Sequence, residues 1–206
     1  MFSELVKRDF NKRYKRSVLG ILWSMIAPLF QLIVMSFVFD RVFGDSMEHY
    51  TIYMFAGQLM FNYFREATDN GMQSITSNAG IITKVNAPKY LFLISKIMAA
   101  SINFLLTLVI FFIFVIAYRV TITWKFIFII FPIICLFVLI VGTGLILSAM
   151  FVFFKDVQYL YDIFTLALMY FTALTYHLYC IFYALLILRI GMWMYKKYNY
   201  MFLYYI

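Results

Sequence analysis

Three ionisable side chains stand inside an apolar run: Arg65, Glu66 and Asp69, with the amides Asn62, Asn70 and Gln73 around them. The run begins at residue 51, so the three lie past its middle. A charge at the centre of a membrane helix costs about 2.5–3.5 kcal/mol on insertion scales, so such groups face protein or water and commonly partner one another. Arg65 and Asp69 are four residues apart, a spacing that puts both on one helix face and lets them pair. Two readings follow from these residues. Either the cluster lines a hydrated passage, or the pair locks helix against helix.

Nothing else in the chain points to catalysis. His49 and His177 are isolated, and no nucleophile–base pair accompanies either. Cys135 and Cys180 both fall in apolar runs, which indicates neither a disulfide framework nor a metal site. A membrane-embedded enzyme acting on lipid or polyprenyl substrates needs His, Asp, Ser or Cys converging at one depth, and no such set is evident. The sequence lacks a G-x-x-x-x-G-K-[ST] loop, so any ATP must be bound and hydrolysed by a separate subunit. The expectation is a chain with no catalytic residue, no metal and no cofactor of its own.

The elements that position the cluster follow from composition. Of 206 residues, 66% are hydrophobic, 22% aromatic and only 13% charged, with mean hydropathy +0.92. No soluble domain of this size hides so much apolar surface, so an all-α, polytopic membrane protein is expected. The net charge of +8 does not suggest nucleic acid. Six of the seventeen cations, Lys7, Arg8, Lys12, Arg13, Lys15 and Arg16, sit immediately before residues 17–39, which carry no charge. As a helix that stretch covers roughly 34 Å, enough for a hydrocarbon core of about 30 Å. The basic flank holds its end in the cytoplasm. It is too basic for too long to be a cleavable signal peptide.

The approach, residues 2–18, has a pattern of its own. Phe2, Val6, Phe10 and Tyr14 step by four beside Leu5, while Arg8, Lys12 and Lys15 fall opposite and Arg13 must snorkel. This reads as an amphipathic helix in the interface, with its cations among anionic headgroups. A topology signal with no further role is the alternative. About five spans are expected, at residues 19–39, 51–77, 91–118, 126–154 and 160–183. Gly142, Thr143 and Gly144 offer small residues where another helix can approach closely. Five spans leave the C-terminus outside, which the basic end with Lys196 and Lys197 argues against. Most tyrosines, with Trp23 and Trp124, lie near span ends, as interfacial belts place them.

Four segments carry a family resemblance: VKRDFNKRYKRSVLGILWSMIAP (6–28), FNYFREATDNGMQSI (61–75), NAGIITKVNAPKYLFLISK (78–96) and GLILSAMFVFFKDVQYLYD (144–162). They resemble the permease subunits of type-2 ABC exporters for lipid-linked polysaccharides, a group that includes the O-antigen, capsule and teichoic-acid export permeases. The resemblance runs in order through about residue 174. It implies a bacterial cytoplasmic membrane protein, a second permease copy, an ABC ATPase partner that binds the ATP, and a lipid-linked glycan as cargo. It also implies that Gly80, Ile81, Ile82, Thr83, Lys84, Val85, Asn86, Ala87, Pro88 and Lys89 form the loop that couples to the ATPase. On that reading Ile81, Ile82 and Val85 are the apolar anchors and the two lysines the rim. The family norm is six spans. Residues 175–206 depart from the family pattern, lack its Tyr-Pro motif and read as an atypical tail from a truncated or shifted frame. A drug or antibiotic exporter permease, or a non-transporting fragment, are the alternatives.

These readings generate a topology. Residues 80–89 and 155–156 are expected on the N-terminal, cytoplasmic side, and residues 45–49 and 119–123 on the other. Single-cysteine labelling of intact cells checks it. An impermeant reagent that modified position 84 efficiently would overturn it.

Overall fold

In a computed structural model of the chain, the described residues are 2–14, 20, 22–42, 50–84, 88–118, 129–171 and 180–198. They form helices and turns: α1 (Phe2–Tyr14), α2 (Leu22–Val42), α3 (Tyr50–Met72), a 3-10 turn (Thr76–Asn78), α4 (Ala79–Ile82), α5 (Tyr90–Ala117), α6 (Ile130–Phe153), α7 (Val157–Phe171) and α8 (Cys180–Tyr198). Two of these, α5 with 28 residues and α6 with 24, are long and apolar enough to cross a membrane. Shorter apolar stretches, Ile26–Phe37 and Val157–Met169, lie within α2 and α7.

The bundle is organised on α3, which packs along both α5 and α6 and also touches α2 and α7. α3 is buried at Ile52, Phe55, Leu59, Phe64 and Ala67. These residues join Phe92, Leu93, Ile97 and Phe104 of α5 and Ile140, Leu145, Ala149 and Val152 of α6 in one core. Tyr63 stacks on Phe104 with centroids 4.3 Å apart, and its hydroxyl meets Ser101 Oγ at 2.7 Å. A Cβ on Gly71 would lie 3.5 Å from Gly144 Cα, so α3 and α6 run backbone to backbone at that point. A second, smaller cluster of Met72, Phe151, Val157 and Tyr161 closes the end where α3 and α6 finish and α7 begins.

The boundaries differ from the expected spans in physically legible ways. The span expected at 51–77 is α3 only as far as Met72. Beyond it, Thr76 Oγ1 donates to Gln73 O at 3.3 Å, and Asn78 Nδ2 donates to Ser74 O at 2.8 Å. Short polar side chains that bond nearby backbone in this way compete with regular helix. The expected span at 160–183 falls on α7 and the first residues of α8, with residues 172–179 outside the described residues. Of the expected tail, residues 180–198 form a helix with an extensive packing partner, α6.

That contact runs through glycine. A Cβ on Gly142 would meet Leu188 N and Cα at 2.6 Å, and one on Gly191 would meet Gly142 O at 2.5 Å and Leu145 Cβ at 3.2 Å. Contact of 142 with 188 and of 145 with 191 ascends together in both helices, so α8 runs alongside α6 in the same direction. Lys196 and Lys197 therefore lie toward the end of the bundle that holds Phe153 and α4. Replacing either glycine with valine forces backbone apart, and such overpacking costs roughly 1–3 kcal/mol or more. The yield of folded, monodisperse protein is expected to fall for Gly142→Val and Gly191→Val but not for Gly57→Ala, where a Cβ meets nothing within 4 Å. Normal yield from both valine variants would show that α8 is not packed there.

Candidate functional site

The polar side of α3 opens onto a cleft rather than onto core. Two cavities meet at Glu66 and Ala100. The one nearer α1 has a volume of about 390 Å³ and is bounded by Asp9 and Phe10 of α1, Glu66, Asp69 and Asn70 of α3, and Lys96 and Ala99 of α5. The deeper one, about 300 Å³, lies among α2, α3 and α5. Its walls are aromatic at Trp23, Phe55, Tyr63 and Phe104, and polar at Gln31, Asn62, Glu66, Asn103 and Thr107. Asn103 Nδ2 donates to both carboxylate oxygens of Glu66, at 3.3 and 3.5 Å. Spacings of three and four residues explain the lining: 62, 66, 69 and 70 share one face of α3.

Arg65 takes a different direction from Glu66 and Asp69. The expected Arg65–Asp69 pair is replaced by one between Arg65 and Asp162 of α7, 3.6 Å apart. Asp69 instead accepts from Gln73 Nε2 at 3.3 and 3.4 Å. The cause is α7, which crosses α3 beside Arg65 and also brings Tyr161 Oη onto Thr68 Oγ1. Both partners of the Arg65–Asp162 pair are about half exposed, so the contribution of this contact to stability is small.

The interface helix is also held differently from expectation. Leu5 is buried in the common core, and α1 packs along α5. That part of its apolar face meets protein rather than acyl chains. Arg8, expected among headgroups, turns inward. Its guanidinium donates to Asp9 Oδ1 at 3.1 and 2.7 Å and to Asn78 Oδ1 at 2.7 Å, while Ser95 Oγ donates to Asp9 Oδ2 at 3.1 Å. Asp9 is the one acid among the basic residues of 7–16, and this latch ties α1 to the 3-10 turn and to α5. Lys7 is exposed, whereas the side chains of Lys12 and Arg13, and Lys15 and Arg16 altogether, lie outside the described residues.

The loop at residues 80–89 is corrected in the same sense. Ile82 is buried and Ile81 packs against the core, so the apolar side chains of four-residue α4 face the bundle. Gly80, Thr83, Lys84 and Pro88 are exposed, Lys89 is partly buried with its pKa lowered by desolvation, and Val85, Asn86 and Ala87 lie outside the described residues. The two isoleucines are thus anchors within this chain. Sequence reasoning also missed Lys96, Asn103 and Gln31 as cleft residues. For Asn103, the i, i+4 pair Asn103–Thr107 in a largely apolar helix was the available signal.

A bundle of apolar helices enclosing a polar, aromatic-walled cleft defines a membrane transport component. The chain belongs to the ABC-2 type transporter family, which it matches over residues 1–180. It is similar to an O-antigen export system permease protein RfbA of Klebsiella pneumoniae, 27% identical over 174 residues covering 84% of this chain and 67% of that protein. A second protein of the same name and organism is 28% identical over 176 residues, with the same coverage. A third of that name, from Myxococcus xanthus, is 29% identical over 158 residues covering 76% of this chain and 60% of its own length. The chain thus spans about two thirds of these relatives or a little less, and most of α8 lies beyond the family match.

The latch generates a prediction. Hydrogen bonds to charged groups are worth about 1.5–3 kcal/mol when a partner is removed. Asp9→Ala is therefore expected to raise the amide hydrogen-exchange rate of α1 at least tenfold while leaving the middle of α6 protected. Unchanged exchange in α1 would show that the latch carries no load.

Proposed function

We propose that the chain is the permease subunit of an ATP-driven exporter that moves a lipid-linked polysaccharide across the bacterial cytoplasmic membrane. The observation that carries the reading is the cleft through an apolar bundle in a chain of this family. Its carboxylate and amides suit sugar hydroxyls, and its rings suit the C–H faces of sugars. The names of the relatives supply the substrate class. The chain crosses the membrane several times with α1, α4 and the start of α7 on the cytoplasmic side, and it works as two copies with two ATPase subunits. Parallel packing of α8 on α6 returns Lys196 and Lys197 to the cytoplasmic side, in accord with the charge bias of such loops.

Work must then enter at the cytoplasmic end of the bundle. The exposed residues Gly80, Thr83, Lys84 and Pro88 form the face offered to the ATPase, with Ile81 and Ile82 holding it to the bundle. Co-expression with the ATPase of an O-antigen export system, in cells lacking their own permease, tests both statements. Surface polysaccharide and co-purification are expected for the chain itself. Lys84→Glu is expected to insert and fold normally yet lose most of the co-purified ATPase, whereas Ile82→Asp is expected to lower the folded yield itself. Full ATPase retention by a folded Lys84→Glu variant would move the docking face elsewhere, and absence of both ATPase and surface glycan from the unaltered chain would remove the exporter reading.

A further inference from the structure

An exposed apolar side chain is ordinary on a membrane helix, because lipid covers it. An exposed ionised one is not, since hydrocarbon offers it neither water nor a counter-charge. Arg189 is such a residue. It is exposed on α8, and the glycine contact sets its depth. Leu188 lies against Gly142, and Gly191 lies against Leu145, so Arg189 is level with Thr143 of α6. At 1.5 Å per residue that level is at least about 15 Å from either end of α6, too deep for the arginine stem to snorkel out. Among the described residues Arg189 is in no ion pair. Only three of the nine acids, Asp40, Asp45 and Glu48, have side chains outside the described residues. All three come shortly before Tyr50 in sequence, and Tyr50 is about 30 Å along α3 from Gly71, whose level on α6 is Gly144.

The opposite charge stands on α7 at nearly the same depth. This helix runs back along α3, with Val157 beside Met72, Tyr161 on Thr68 and Asp162 on Arg65. Val157 also clusters with Phe151, so Asp162, five residues on, is about level with residue 146 of α6. Arg189 and Asp162 therefore differ in depth by roughly three residues, about 5 Å. Asp162 is 51% exposed and meets Arg65 through Oδ1 alone, which leaves Oδ2 for a second donor. A chain that shows an unpaired cation on one helix and a half-exposed acid on another, at one depth, is complementary to itself. We infer that two copies of the chain pack α7 of one against α8 of the other, with each Arg189 bonding the partner's Asp162. This deepens, and rests on, the reading of the transporter as two copies. Two-fold symmetry makes the contact twice, and each arginine–carboxylate bond covers a charge that lipid would leave bare. Leu160 and Ile163 on α7, with Leu186 and Ile190 on α8, are the exposed apolar residues that surround the pair. Arg189 lies beyond the family match, which ends at residue 180, so this half of the joint is a feature of this chain.

The test uses the full chain in two differently tagged versions, both with Cys135→Ala and Cys180→Ala, co-expressed in one membrane. One version carries Ile163→Cys and the other Ile190→Cys, and the membranes are oxidised with copper phenanthroline. A disulfide between the two tags is expected for this pair. None is expected when Leu105→Cys, exposed on α5, replaces Ile163→Cys. Arg189 and Asp162 are both kept here, so this arm decides even where a charge variant fails to fold. In a second arm, energy transfer between donor- and acceptor-labelled chains is followed in vesicles as lipid is added. Arg189→Glu sets a carboxylate against the partner's Asp162 and is expected to weaken association about tenfold or more. Copies that associate without the 163–190 disulfide, or with a strength that Arg189→Glu leaves unmoved, would overturn the inference and leave the two-copy reading standing. Chains that stay single at every protein-to-lipid ratio would overturn both.

Discussion

An ionisable stripe on an otherwise apolar helix has to be enclosed, and most of this structure follows from that requirement. In hydrocarbon a polar group has no water to turn to, so its partners must come from the chain itself. On α3 the stripe carries Glu66, Asp69, Asn62 and Asn70, with Gln73 just past the helix end. α5 sets Asn103 and Lys96 beside it, α2 and α1 bring Gln31 and Asp9 to the walls of the same cavities, and aromatic rings line the deeper one. The buried apolar residues of the same helix sit against α5 and α6. One helix therefore serves both as the spine of the core and as the floor of the cleft.

The end of the bundle that holds α1 and α4 shows the same economy on a smaller scale. Arg8, Asp9, Asn78 and Ser95 belong to three elements far apart in sequence, yet they form one connected set of hydrogen bonds. Through it the N-terminal helix, the turn before α4 and the first turns of α5 hold a common position. Asn78, in the turn before α4, is thereby linked directly to α1 and, through Asp9, to the wall of the lower cavity. Half-exposed Arg65 and Asp162, by contrast, join α3 to a helix that has few other neighbours.

The sequence was informative wherever hydropathy and period alone decide an outcome. All-helical architecture, the long apolar helices and the close approach at Gly142 and Gly144 were readable from spacing. What was not readable depended on which neighbour arrives. Arg65 is four residues from Asp69, but α7 brings Asp162 to it while Gln73 occupies Asp69. Arg8 looks like a headgroup cation until Asn78, seventy positions away, is folded against it. Ile81 and Ile82 look like anchors for a partner because a short loop gives no period from which to tell inside from outside. The C-terminal helix was obscure for a related reason. Its fit to α6 depends on matched glycines, and an isolated Gly191 carries no sign of its counterpart.

The glycine contact also constrains the order in which the molecule can be made. Gly142 and Gly191 leave the ribosome 49 residues apart, with all of α7 between them. At about 5–20 residues per second, that interval lasts roughly 2–10 seconds. Throughout it α6 presents a bare strip of backbone with nothing seated in it. The strip has to be kept from neighbouring helices, by lipid or by the insertion machinery, until its own partner emerges. This close joint of α6 with α8 can thus form only after α7 has emerged.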